Sequence, residues 1–196
     1  MIKGLFKRNS ARVNLGDNGG FMSHPEQMNF VRFIKDKFPD FFNNKKVIEI
    51  GSLNINGTIR KFFKDCEYLG VDIGEGKCVD LVCEGQKLDH PDNYYDVSAS
   101  CECFEHNPYW LETFINMHRM TKNNGLVFFT CATTGRKEHG TKRSSKKYSP
   151  LTTWEYYKNL TSNDFELNLD LKTMFNFYEF ETNKNRPDLY FYGFKK

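Results

Sequence analysis

The chain has 196 residues, 39% of them hydrophobic and 16% aromatic, and a net charge of +3. That composition supplies one core burying roughly 70% of the unfolded surface. It argues against wholesale disorder, and so small a charge makes no case for nucleic acid by itself. No stretch reaches the length of a membrane span, and the N-terminus lacks the apolar core of a signal peptide. Six cysteines without a secretory signal read as reduced thiols, so a soluble cytoplasmic protein is expected.

In chain order, residues 1–20 are basic, then rich in Asn and Gly, and read as a flexible arm before a single domain, 21–196. His24-Pro25-Glu26 opens a helix whose apolar face is Met28, Val31, Phe33, Ile34 and Phe38, and Pro39-Asp40 stops it. A buried strand, Val47 to Ile50, runs into the turn Gly51-Ser52-Leu53-Asn54-Ile55-Asn56-Gly57. The spacing predicts a helix over Thr58 to Lys64 and a second strand, Tyr68 to Val71, ending on Asp72. Strand, tight turn, helix and strand in so few residues make a right-handed βαβ unit. Its turn then lies at the carboxyl edge of a parallel sheet, where such folds bind ligands. Asp72 stands where an acid accepts hydrogen bonds from ribose hydroxyls. The turn has neither the close glycine pair that a pyrophosphate wants nor a Gly-Lys-Ser/Thr phosphate loop. A nucleoside without phosphates suits it better.

Further on, Cys78 to Val82 predicts a third strand, Tyr95 to Cys101 a fourth, Tyr109 to Met120 a helix, and Leu126 to Cys131 a fifth strand after the turn Asn123-Asn124-Gly125. Thr152 to Leu160, carrying Trp154, Tyr156 and Tyr157, suggests a helix, and Ser162 is a cap for another. Phe175 to Phe180 and Leu189 to Phe194 alternate aromatic residues around Asn183 to Pro187, which is a β-hairpin. The fold class is α/β: a doubly wound, Rossmann-like sheet, mostly parallel with a C-terminal antiparallel hairpin and helices on both faces. Cys101-Glu102-Cys103 invites a zinc reading, but the chain has no Cys-x-x-Cys knuckle; packed thiols are the better account, and no metal is expected.

Val47-Ile48-Glu49-Ile50-Gly51, Gly70-Val71-Asp72-Ile73, Val79-Asp80-Leu81-Val82, Tyr95-Asp96-Val97, Glu105-His106 and Gly125-Leu126-Val127-Phe128-Phe129 follow one another with regular gaps. In this order they resemble class I S-adenosylmethionine-dependent methyltransferases, most of all the "methyltransferase type 11" group. The family usually has Gly-x-Gly-x-Gly where this chain has Gly51-Ser52-Leu53-Asn54. The resemblance implies S-adenosyl-L-methionine as cofactor and S-adenosyl-L-homocysteine as its product. Glu49, Gly51, Ser52, Asn54 and Gly57 would shape the methionine end, and Asp72 would hold the ribose. Ile73 and Glu84 would border the adenine, with Cys101 and Glu102 lining the floor.

A hydroxyl acceptor must lose a proton, and histidine is the usual base near neutral pH. His106, after the fourth strand, and His139, in the loop after the fifth, border the expected cleft. The basic run Arg136 to Lys147 reads as a solvated lid, with contact to an anionic or sugar-phosphate substrate as the alternative. Arg136 and Tyr148 are its candidate substrate residues. The expected activity is methylation of a small-molecule or carbohydrate acceptor at oxygen, a surface-polysaccharide sugar among them. The alternatives are a methyltransferase acting on nucleic acid or protein, and a non-catalytic nucleoside-binding module. A nicotinamide dehydrogenase is disfavoured by the glycine spacing and the terminal hairpin.

Overall fold

Val47 to Ile50 and Leu126 to Cys131 are apolar at nearly every position, as strands covered on both faces must be. The computed structural model, which describes residues 25–183 and 185–196, uses both as inner strands of one sheet. The strands are β1 (Lys46–Ile50), β2 (Glu67–Asp72), β3 (Leu81–Val82), β4 (Tyr95–Cys101), β5 (Thr121–Ala132), β6 (Phe175–Asn183) and β7 (Asp188–Lys195). Their order is β3-β2-β1-β4-β5-β7-β6, parallel through β5. The hairpin β6–β7 closes it antiparallel, with β7 inserted beside β5. The helices are α1 (Pro25–Lys37), α2 (Trp110–Met120), α3 (Ser162–Glu166) and α4 (Leu171–Met174).

Alternation along the strands divides the core. Ile48, Ile50, Val127 and Phe129 pack with Phe114 and Met117 of α2 on one face. Val47, Leu126 and Phe128 pack with Val31 and Ile34 of α1 on the other. Helices therefore cover both faces, as expected. Residues 1–20, read as an arm, and His24 lie outside the described residues.

Four elements differ from expectation. The helix over Thr58 to Lys64 is a single 3-10 turn, Ile59–Phe62, started by Thr58 Oγ1 accepting from the Arg60 N–H (3.1 Å). Phe63 is extended and stacks on Phe42 with ring centroids 4.5 Å apart, so packing ends a segment too short to offset the cost of helix nucleation. The third strand is only Leu81–Val82, because Cys78 has a left-handed backbone (φ 71°) and the Val79 N–H donates to Gly76 O in a turn (3.1 Å). The fifth strand starts early, at Thr121, and the expected turn survives as a bulge around Asn124 (φ 61°).

The fourth difference bears on the site. Thr152 to Leu160 is not helical. Trp154 is left-handed (φ 62°), the Lys158 N–H donates to Glu105 O (2.9 Å), and the Leu160 N–H donates to Ala132 O (2.9 Å). Backbone groups that a helix would pair internally are satisfied by distant segments instead. Thr161, not Ser162, caps α3: Asp164 accepts from both its N–H and its hydroxyl (2.8 Å each).

Candidate active site

The carboxyl ends of β1, β2 and β4 open onto a cavity of about 920 Å³. Gly51 leaves β1 with φ 81°, and a Cβ there would sit 2.6 Å from Cys103 Cβ and 2.8 Å from its Sγ. Only glycine meets both conditions. The turn is then closed by its own amide side chain: Asn54 Oδ1 accepts from the Gly57 N–H (2.7 Å). Ser52 is buried beside it. Asp72 faces the same cavity, half-buried at the end of β2. Its Oδ2 accepts from the Leu53 N–H (3.0 Å) and its Oδ1 from the Ile73 N–H (2.8 Å). Burial raises its pKa and those two backbone donors oppose the rise. Among the described residues no cation reaches it to form an ion pair. Ile73 is 46% exposed at the cavity wall.

Glu49 lies on the floor, 4% exposed, with Oε2 accepting from the Tyr68 hydroxyl (2.7 Å). Burial pushes it up to about 7, against the pull of that hydroxyl. Cys101 is buried and Cys103 half-buried, and desolvation drives both thiols up. Glu102 borders the floor, its Oε1 accepting from Thr130 Oγ1 (3.0 Å) with the Arg136 guanidinium 3.7 Å away. Glu84 lines the rim but is engaged by Lys87 (2.5 Å) and Gln86 (2.6 Å).

Across the cavity stands a cluster of rings. His106 and His139 meet edge to face, with centroids 5.0 Å apart, and Tyr157 lies 5.4 Å from the first and 5.1 Å from the second. His139 Nδ1 is 3.0 Å from Lys137 O. A carbonyl can only accept, so Nδ1 carries the proton and the Nε2 lone pair is available. That Nε2 is 4.0 Å from Oε1 of the fully buried Glu105. Burial lowers His106 to about 3, lowers His139, and holds Glu105 well above the carboxylate range.

The substrate candidates divide. Tyr148 is 39% exposed on the cavity rim. Arg136 also borders the cavity, but its guanidinium is bonded to Asp188. Along the basic run, Lys142 pairs with Glu155 (2.5 Å), Arg143 with Glu138 (2.8 Å), and Lys146 lies over the Trp154 ring (4.6 Å). Nothing in the sequence marked Gln27, Tyr109, Leu151 or Thr152 as lining residues. They come from α1 and two loops, and no local spacing links them to the turn. Glu105 could have been singled out by its place beside His106, but its burial could not.

Residues 54–129 match a family model described as a methyltransferase domain. The fold is similar to that of 1,6-didemethyltoxoflavin-N1-methyltransferase from Burkholderia thailandensis, solved with S-adenosylhomocysteine (TM-score 0.61, 13% identity, 87% of this chain and 78% of that one). It is similar to phosphoethanolamine N-methyltransferase 2 from Haemonchus contortus, also solved with S-adenosylhomocysteine (TM-score 0.60, 17% identity, 85% of this chain). The chain spans about half the length of that enzyme, 52%. The YcgJ protein from Bacillus subtilis is similar along 88% of this chain and 99% of its own (TM-score 0.60, 11% identity). No curated protein matches the chain. Fold and sequence match point the same way: residues 54–129 match a methyltransferase-domain model, and the sheet is similar to that of solved methyltransferases.

Proposed function

We propose that the chain is an S-adenosylmethionine-dependent methyltransferase acting at oxygen on a small-molecule or carbohydrate acceptor. Asp72 carries the reading. Its two oxygens each accept one backbone N–H, which leaves each oxygen further acceptor capacity, and the residue lines the cavity, a placement that supports a ribose-diol contact. The exposed Ile73 beside it offers an apolar wall to a nucleobase. When bound, the cofactor supplies an electrophilic methyl group. The chain's part is to align the acceptor and to exclude water.

His139 Nε2 can take the proton of an acceptor hydroxyl, while its Nδ1–H on Lys137 O holds the ring in one tautomer. His106 packs against it and limits water at that end. The half-exposed rings of Tyr109 and Tyr148 at the rim suit the apolar face of a sugar. Small-molecule pockets run to roughly 300–1,000 Å³, so about 920 Å³ supports room for acceptor and nucleoside together. Calorimetry of the full chain with S-adenosylmethionine, S-adenosylhomocysteine and NAD tests the cofactor: the first two should bind, and a preference for NAD would overturn it. Mass spectrometry of metabolites that gain a methyl would identify the acceptor.

A further inference from the structure

Three buried polar atoms without a hydrogen-bond partner among the described residues lie around one point. Glu105 is fully buried, and neither carboxylate oxygen has a hydrogen-bond partner among the described residues; His106 Nδ1 is in the same condition. Glu102 and Asp188, the neighbouring buried acids, have Arg136 beside them. Among the described residues, the basic group within ion-pair distance of Glu105 is a histidine, His139, at 4.0 Å, with Arg136 acting on it from farther away. Ligating atoms of Glu105, His106 and His139 all lie within 4.8 Å of one another. The Nδ1–H of His139 is turned onto a backbone carbonyl. That second bond is how a metal-binding imidazole is held with its other nitrogen free.

We propose that Glu105, His106 and His139 bind one divalent transition-metal ion of the zinc and cobalt class, with a remaining position facing the cavity. Two imidazoles and a carboxylate with an open fourth place are a donor set that such ions accept. Bonds of about 2.1 Å put tetrahedral ligands roughly 3.4 Å apart, so the three groups must close by about 1 Å. His139 sits on a loop and can make that movement. This site reverses the expectation of no metal, which was drawn from cysteine spacing; none of its ligands is a thiol.

Its role rests on the methyltransferase reading, although ion binding itself does not. An acceptor hydroxyl in the open position would lose its proton more readily, the proton leaving to solvent through the cavity. Its oxygen then forms the C–O bond as the C–S bond breaks and the electron pair goes to sulfur. In that state His139 is a ligand and not a base.

The test uses the full chain, stripped with a chelator and titrated with Co²⁺ in the absence of nucleoside. One Co²⁺ per chain should bind with visible d–d bands and no thiolate charge-transfer band, and should raise the unfolding temperature. His139→Ala should weaken binding at least 100-fold. Glu105→Gln should do the same while stabilising the metal-free protein; if that variant does not fold, His139→Ala still decides. Unchanged Co²⁺ affinity in His139→Ala, thiolate ligation, or no binding would overturn the proposal. Binding of S-adenosylhomocysteine is measured separately, so a chain that takes the nucleoside and no Co²⁺ loses only the metal site. One that takes Co²⁺ and no nucleoside loses the cofactor reading.

Discussion

The two sides of the cavity are built differently. The side at the ends of β1 and β2 is made of backbone and short side chains held by near neighbours: Asn54 on Gly57, Asp72 on Leu53 and Ile73. The opposite side is assembled from loops far apart in sequence: His106, His139 and Tyr157 meet as rings over the buried Glu105. A nucleoside pocket common to many acceptors can be carried on rigid strand ends, whereas chemistry that varies with the acceptor belongs on loops.

The widest separation between the two sides should come from His139→Ala. Turnover should fall about 10²–10⁴-fold, the size of a lost acid–base or positioning group, with affinity for S-adenosylhomocysteine unchanged. A variant with full turnover would remove His139 from the chemistry. Next in size is a pH effect on the floor. Glu49 has a folded pKa raised to about 7 against an ordinary 4.5, so it favours the native state while protonated. That contribution is complete below about pH 4.5 and is lost as pH rises through about 7, roughly 3 kcal/mol in all. Glu49→Gln keeps an acceptor for Tyr68 and should abolish this loss; urea unfolding from pH 5 to 8 would show the wild-type and mutant curves diverging, and parallel curves would contradict the assignment.

Asp72→Ala probes the nucleoside side in return. Calorimetry should find affinity for S-adenosylhomocysteine reduced by about 1–3 kcal/mol, or roughly 5- to 150-fold. Equal affinity would mean that the ribose is held elsewhere. The smallest effect is expected on the basic loop, where Lys142 and Glu155 form an exposed pair. Lys142→Ala should change stability by less than about 1 kcal/mol, and a larger loss of thermal stability would make this loop part of the folded core.

The strands, the hairpin, both long helices and Asp72 at the end of β2 were legible in the residues, because alternation and apolar runs are local patterns set by which faces are covered. Residues 58–64 and 152–160 carried helical spacing too, and tertiary contacts overrode it. Phe63 was drawn onto Phe42, and the backbone of Lys158 and Leu160 was drawn onto Glu105 and Ala132. The same crossing of distant segments buries Glu105 between two histidines. Periodicity reports which side of an element is apolar, but only the packed chain decides which polar groups end up without water and within reach of one another.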